Sequence, residues 1–319
     1  MNEGLMKVVA LSGGVGGAKF VDGLSLNLPP EYLTTIVNIG DDFEHFGLKI
    51  CPDVDTILYT LSGLANPFTG WGRDGETWTV MGAIEQMGGP AWFHLGDHDV
   101  AWHMLRTHLM INGMTLSETI EYFCGKYGIK IKVIPASNDA VPTMVHTKDQ
   151  GVLGFQEYFV RCQFEPPVNE FVFANIQESR PAPGVLEALR DADLVLIGPS
   201  NPFVSIFPIL NIPGIQEAIT DKVVVAVSPI KQGKSYRGPA AKIFREMGME
   251  SSSASVANLY RGIIQGIVID NADSSMRREI ERWGIMVFET DITMDSVGKR
   301  KSLALDVIQF GKFIQKMMR

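Results

Sequence analysis

Residues 6 to 20 read Met-Lys-Val-Val-Ala-Leu-Ser-Gly-Gly-Val-Gly-Gly-Ala-Lys-Phe, "MKVVALSGGVGGAKF". A short β-branched apolar run stops at four glycines, and the residues after it, with Phe20, Val21 and Leu24 at helical spacing, begin a helix. Strand, glycine turn and helix form the opening unit of a parallel α/β sheet. Without Cβ atoms, Gly13, Gly14, Gly16 and Gly17 allow an anion to approach backbone N–H groups, and the helix N-terminus adds partial positive charge. Lys19 would add a full one. The spelling is not the dinucleotide G-x-G-x-x-G, because Lys19 takes the third glycine position counted from Gly14, and it is not the G-x-x-x-x-G-K-[ST] phosphate loop. Taken alone, the turn is a weak signal that a purely structural tight turn would also explain.

The pattern repeats outward. "LTTIVNIGDD" (33–42), "ADLVLIGPSNP" (192–202), "KVVVAVSPI" (222–230) and "IIQGIVIDN" (263–271) are apolar strands that stop at Gly, Pro, Ser, Asn or Asp. "GPAAKIFREMG" (238–248), "SSMRREIERWG" (274–284) and "LALDVIQFGKFIQKMM" (303–318) read as helices between or after them. Alternation of this kind implies a Rossmann-like, mostly parallel sheet with helices on both faces, whose ligands collect at the carboxyl ends of the strands. The middle differs: "VAWHMLRTHLMI" (100–111) and "TLSETIEYFCGKYG" (115–128) are helical. Residues 1–60 and 148–319 are therefore expected to form the α/β core, and 61–147 a mainly helical insertion that caps part of the substrate site. "VLGFQEYFVRC" and "EFVFANI" are expected as a strand pair rejoining the main body.

Carboxylates gather at these strand ends. Asp41 and Asp42 follow the second strand, and Asp53-Val54-Asp55 opens the next apolar segment. Such clusters suit a hard divalent cation that bridges phosphate oxygens. The competing reading makes Asp53 or Asp55 the cap of a helix beginning near Thr56. His94, His98 and His103 match no standard zinc spacing. Asp97 and Asp99 fit caps of the helix that follows, and Trp71, Trp78, Trp92 and Trp102 fit core positions. Ser200, Asn201 and Ser228 end strands where hydroxyl and amide groups can hold a nucleotide.

The 319 residues are 45% hydrophobic and 20% charged, as in a globular enzyme, and the formal charge of -8 argues against a general nucleic-acid binder. No apolar run approaches the ~20 residues that span a bilayer, and no secretory leader precedes the first strand, so a cytoplasmic protein is expected. Cys51, Cys124 and Cys162 are widely spaced, without a C-x-x-C pair, and read as buried thiols.

In order along the chain, "LSGGVGGAKF", "VNIGDDF", "ICPDVDTILYTL", "GWG" with "ETW", "LGDHD", "IGPSNPFVSIFPIL", "IPGI" and "VAVSPI" resemble the 2-phospho-L-lactate transferase family of coenzyme F-420 biosynthesis, which includes the bacterial phosphoenolpyruvate transferase. The resemblance implies a magnesium-dependent transferase. Its substrates would be the deazaflavin 7,8-didemethyl-8-hydroxy-5-deazariboflavin (Fo) and a guanosine diphosphate adduct of lactate or enolpyruvate. The ribityl hydroxyl of Fo would attack the phosphorus nearer the three-carbon acid and release GMP. By resemblance, Asp55 of the PD-x-D-T stretch is metal ligand or general base, and Asp42 completes the metal site. Gly13 to Gly17 would face the diphosphate, with Ser200, Asn201 and Ser228 toward the guanosine or deazaflavin. His94 stands where archaeal members carry a basic residue at the deazaflavin. His98 replaces an arginine common in Leu-Gly-Asp-Arg-Asp, which removes a permanent cation. A homodimer is also a family expectation. The alternatives are a non-catalytic regulator that binds UDP-sugars on a related fold and, less well matched, a D-x-D glycosyltransferase or a nicotinamide dehydrogenase.

Overall fold

The computed structural model describes residues 6–235 and 239–318. Seven short strands, β1 (Val8–Ser12), β2 (Leu33–Val37), β3 (Lys132–Pro135), β4 (Leu194–Ile197), β5 (Val224–Val227), β6 (Gly266–Asp270) and β7 (Met286–Thr290), form one sheet in the order β3-β2-β1-β4-β5-β6-β7. Every neighbouring pair is parallel. Val and Ile dominate these strands, and β1, β4, β5 and β6 are buried at every residue, as a sheet covered on both faces requires.

The strand order reverses beside β1. Leu11 pairs with Ile36 on one side and Ile197 on the other, so the chain leaves β1 for β2 and β3 and then crosses to β4. The crevice outside the carboxyl ends of β1 and β4 is the switch point at which doubly wound sheets bind ligands. Helix α1 (Gly14–Ser25) starts there, directly after β1, and packs against α2 (Pro52–Leu61) and the long C-terminal helix Val297–Met318.

The segment expected as a helical insertion holds α3 (Thr79–Gln86), α4 (Asp97–Ile111) and α5 (Leu116–Lys126). Its boundary needs correction, because β3 lies inside 61–147 and is the edge strand of the main sheet. The four residues of "KVIP" carry too short an apolar run to register as a strand. The expected strand pair also departs from its reading. Val152–Gly154 and Val168–Phe173 both pair with Thr143–Thr147 in a separate antiparallel sheet, and Glu157–Arg161 between them is a π-helical turn.

A small second core lies under the cap. The hairpin Phe43–His45 and Leu48–Ile50 packs Ile50 against Met81 of α3 and Leu95, with Phe43 and Phe93 around them. The two cap helices complete each other's first turns. The Glu76 carboxylate accepts from the backbone N–H of His98 and Asp99 at 2.8 and 2.9 Å, and Asp97 accepts from Thr79 and Val80 at 3.2 and 3.0 Å. Of the four tryptophans expected in the core, Trp102 is buried and stacks on Phe123, Trp92 is half-buried, and Trp71 and Trp78 are 56% and 50% exposed. Cys51 and Cys124 are buried thiols, and Cys162 is half-buried.

Candidate functional site

The glycine turn is held from three directions. Ser200, two residues beyond the Gly198 that follows β4, accepts from the Gly13 N–H at 3.2 Å and donates to the Gly13 carbonyl at 2.8 Å. A Cβ at Gly16 would collide with the Pro199 carbonyl, and one at Gly17 would lie 2.7 Å from Ser200 Oγ. Gly14 has φ +62°, a left-handed conformation that glycine adopts without strain. Helix α1 has no side-chain cap of its own. Its Gly14 N–H instead donates to the carboxylate of Asp53 on α2. A Cβ at Gly13 would strike that same carboxylate.

Asp53 belongs to a dense acidic cluster. Asp41, Asp42, Asp53 and Asp55 are all buried. Asn38, one residue past β2, donates through Nδ2 to Asp41 Oδ1 at 3.0 Å, Asp53 Oδ2 at 2.8 Å and the Val204 carbonyl at 3.0 Å. The amide has two hydrogens for these three acceptors. Burial, reinforced by Asp53, holds the Asp41 carboxyl well above the usual range, and burial pushes Asp53 up to about 6 despite its hydrogen bonds. The two carboxyl groups share one donor, and among the described residues no ion pair to either is seen.

The other two carboxylates each have a cation. Lys49 Nζ lies 3.1 Å from Asp42 Oδ2, and burial still raises the Asp42 carboxyl. Asp55 is gripped by Arg106 of α4, whose two terminal nitrogens reach both carboxylate oxygens, and Trp102 Nε1 donates to Oδ1 at 2.9 Å. The guanidinium is fully buried (0%), and burial works against its charge, but Asp55, Cys51 and Tyr59 together more than offset it. His103 sits 3.7 Å from Asp55, but burial lowers it to about 4, so the ring is neutral at pH 7. One turn along α2, Tyr59 donates to Asp99 of α4 at 2.8 Å, and burial pushes Asp99 up to about 7. Among the described residues, no group of three or more His, Cys, Asp or Glu side chains is arranged to hold a metal by itself.

Two comparisons decide the family. The model described as 2-phospho-L-lactate transferase CofD matches residues 8–309. The phosphoenolpyruvate transferase of Streptomyces griseus subsp. griseus is 38% identical over 317 residues, covering 97% of this chain and all of that one. The chain belongs to the CofD family. The 2-phospho-L-lactate transferase of Methanothermobacter thermautotrophicus is also similar, at 36% identity over 297 residues, 93% of this chain and 95% of that protein. The crystal structure of BH3568 from Bacillus halodurans shares the fold, with a TM-score of 0.62 at 18% identity and coverage of 95% and 100%.

Within this CofD-family transferase the residues singled out from sequence separate into two groups. Gly13, Gly14, Gly16, Gly17 and Ser200 meet at the switch point, although Gly13 and Gly17 are buried against protein and only Gly14 and Gly16 are half-exposed. Lys19 follows on α1 and is half-buried. Asn201 caps the helical turn Pro202–Ile206 by accepting from the Phe203 N–H at 3.0 Å. Ser228 is fully buried, bonded to Ile230 and to Ser253 Oγ at 2.9 Å, and its hydroxyl is committed to the protein. His94 is exposed beside Trp78, with ring centroids 6.0 Å apart. Asp42 and Asp55, expected as the metal pair, are each held by a cation instead, and neither Asp53 nor Asp55 caps a helix starting at Thr56, because α2 already begins at Pro52. Asn38 and Arg106 are not singled out by the sequence, and Trp102 is expected only as a core residue, not as a donor to Asp55. A polar residue directly past a buried strand was the available signal for Asn38. Nothing local distinguishes Arg106 from any other arginine on an amphipathic helix.

Proposed function

We propose that this CofD-family protein transfers a phospho-lactyl or phospho-enolpyruvyl group from its guanosine diphosphate adduct to the ribityl hydroxyl of Fo, in coenzyme F-420 biosynthesis, with magnesium bound at Asp41 and Asp53. The new bond joins the acceptor oxygen to the phosphorus nearer the three-carbon acid, the diphosphate bridge breaks, GMP leaves, and the hydroxyl proton is released to water or to the GMP phosphate. Such a transfer depends on aligning the acceptor with the leaving phosphate and on shielding charge. A bound divalent cation supplies that shielding.

The observation that carries the reading is the carboxylate pair at the N-terminus of α1. Among the described residues, two of the four buried carboxylates have a paired cation, Lys49 on Asp42 and Arg106 on Asp55. The charge left over belongs to Asp41 and Asp53, which share the Asn38 amide at the switch point. Oxygen donors of this kind suit magnesium, which keeps several waters and takes few protein ligands. The first turn of α1, whose Gly13 and Gly14 N–H groups already go to Ser200 and Asp53, is bare of Cβ atoms at Gly14 and Gly16 and would offer its next N–H groups to a phosphate beside that pair. Asn38 orients the pair, Ser200 fixes the turn, and Arg106 and Trp102 fix Asp55.

The test offers the protein Fo with magnesium and the lactyl and enolpyruvyl adducts in competition, and reads the products by mass spectrometry. One phosphodiester of Fo should form with stoichiometric GMP, and Asp53→Asn should lower the rate at least about a hundredfold, the order expected when an electrostatic anchor of the transition state is lost. No product from either donor, together with tight binding of a UDP-sugar, would favour the non-catalytic regulator.

A further inference from the structure

The cap reaches the acidic cluster through Arg106 of α4, whose guanidinium is fully buried and takes both oxygens of Asp55. A planar fork of donors matches a carboxylate in a way that a lysine ammonium does not. Trp102, also from α4, occupies Asp55 Oδ1 as well. His103 beside them is neutral at pH 7 and adds no charge. The cap thus places one fixed positive charge in a cluster of four carboxylates whose other paired cation among the described residues is Lys49.

We propose that Arg106 is a positioning residue that sets the charge of the metal site: by neutralising Asp55 it leaves the Asp41 and Asp53 pair as the net charge of the cluster, matched to a divalent cation. The inference rests on the magnesium reading above. It predicts that the two halves of one ion pair act in opposite directions. Removing the guanidinium leaves a third uncompensated carboxylate two residues along α2 from Asp53 and tightens cation binding. Removing the Asp55 charge leaves a bare guanidinium there and weakens it. Loss of packing alone would move both variants the same way.

The experiment is calorimetric titration of Mg2+ alone into the full chain at pH 7.5, with folding checked by circular dichroism. Arg106→Gln should bind at least about tenfold tighter than the parent and Asp55→Asn at least about tenfold weaker, the scale set by one unit charge close to a divalent ion in partly screened surroundings. The double variant Asp55→Asn with Arg106→Gln, which has neither charge, should return to within about threefold of the parent, and Arg106→Lys should do the same. Should Arg106→Gln fail to fold, Asp55→Asn, its rescue by the double variant and Arg106→Lys still decide the matter. Weakening by Arg106→Gln and Asp55→Asn alike, or no recovery in the double variant, would overturn the proposal. Asp55→Asn abolishing binding as completely as Asp53→Asn would make Asp55 a direct ligand and also overturn it. Asp53→Asn binding Mg2+ like the parent is a different failure, that of the magnesium reading itself.

Discussion

Gly14 and Gly16 lie two residues apart in one turn and are required for different reasons. At Gly14 a Cβ has space, its nearest neighbour being Asp53 Oδ1 at 3.9 Å, but φ of +62° is costly for any residue with a side chain. At Gly16 the backbone conformation is ordinary and the Pro199 carbonyl blocks the space. Gly14→Ala should therefore destabilise by roughly 1–2 kcal/mol through backbone strain. Gly16→Ala should cost about 1–3 kcal/mol through overpacking against a carbonyl that cannot move aside without moving β4. Urea unfolding of the two variants checks both values. A neutral Gly16→Ala would mean that the Pro199 loop yields freely and the turn is not locked. The sequence shows that these positions are glycine and suggests an anion. It does not show that Gly13, Gly16 and Gly17 also answer to Asp53, Pro199 and Ser200, since those contacts span up to 187 residues of chain.

At the scale of elements, α2 and α4 are joined along their length by Arg106 with Asp55 and, one turn further, by Tyr59 with Asp99. The second link depends on pH. Folding raises the Asp99 carboxyl from the ordinary carboxylate range to about 7, burial being the largest cause, so the fold favours its protonated form. The stability contributed is complete below about pH 4 and is lost as pH rises toward 7. Asp99→Asn cannot ionise and keeps an oxygen for the Tyr59 hydroxyl. The variant should be more stable than the parent at pH 8 and equal to it near pH 4, as read from urea midpoints at the two pH values. A difference of the same size at both would remove the titration from the account. Helix α4 was legible in apolar spacing, but Asp97 and Asp99, expected to cap it, do not: α4 begins at Asp97 itself, and Asp99 accepts from Tyr59. That Asp97 caps α3 while Glu76 caps α4 was not legible, because reciprocal capping between two helices leaves no local pattern in either.

The whole molecule explains why the acidic cluster could be located from sequence while the pairing of its members could not. Strand ends show where carboxylates gather, and doubly wound topology brings the ends of β1, β2 and β4 to one crevice, so Asp41, Asp42, Asp53 and Asp55 were all visible as a group. Which two carry uncompensated charge depends on Lys49 from the hairpin and Arg106 from the cap, and only the folded chain brings these together. The same topology makes a prediction for ligand binding. If a nucleoside diphosphate and magnesium lie at the switch point, their binding should slow amide exchange in the first turn of α1, around Asn38 to Asp42, in the first turn of α2 and in residues 199–205. The fixed contact of Arg106 with Asp55 should carry protection into α4 as well. The opposite edge of the sheet holds a second polar group at the ends of β6 and β7, where Lys231 contacts Asp270 at 2.9 Å and Asp291 at 3.7 Å. Hydrogen exchange with GDP and MgCl2, followed by mass spectrometry, distinguishes the two places. Protection concentrated at β6 and β7 with none at α1 would mean that the crevice beside β1 is not where the diphosphate binds. The glycine turn would then be explained by Ser200, Pro199 and Asp53 alone.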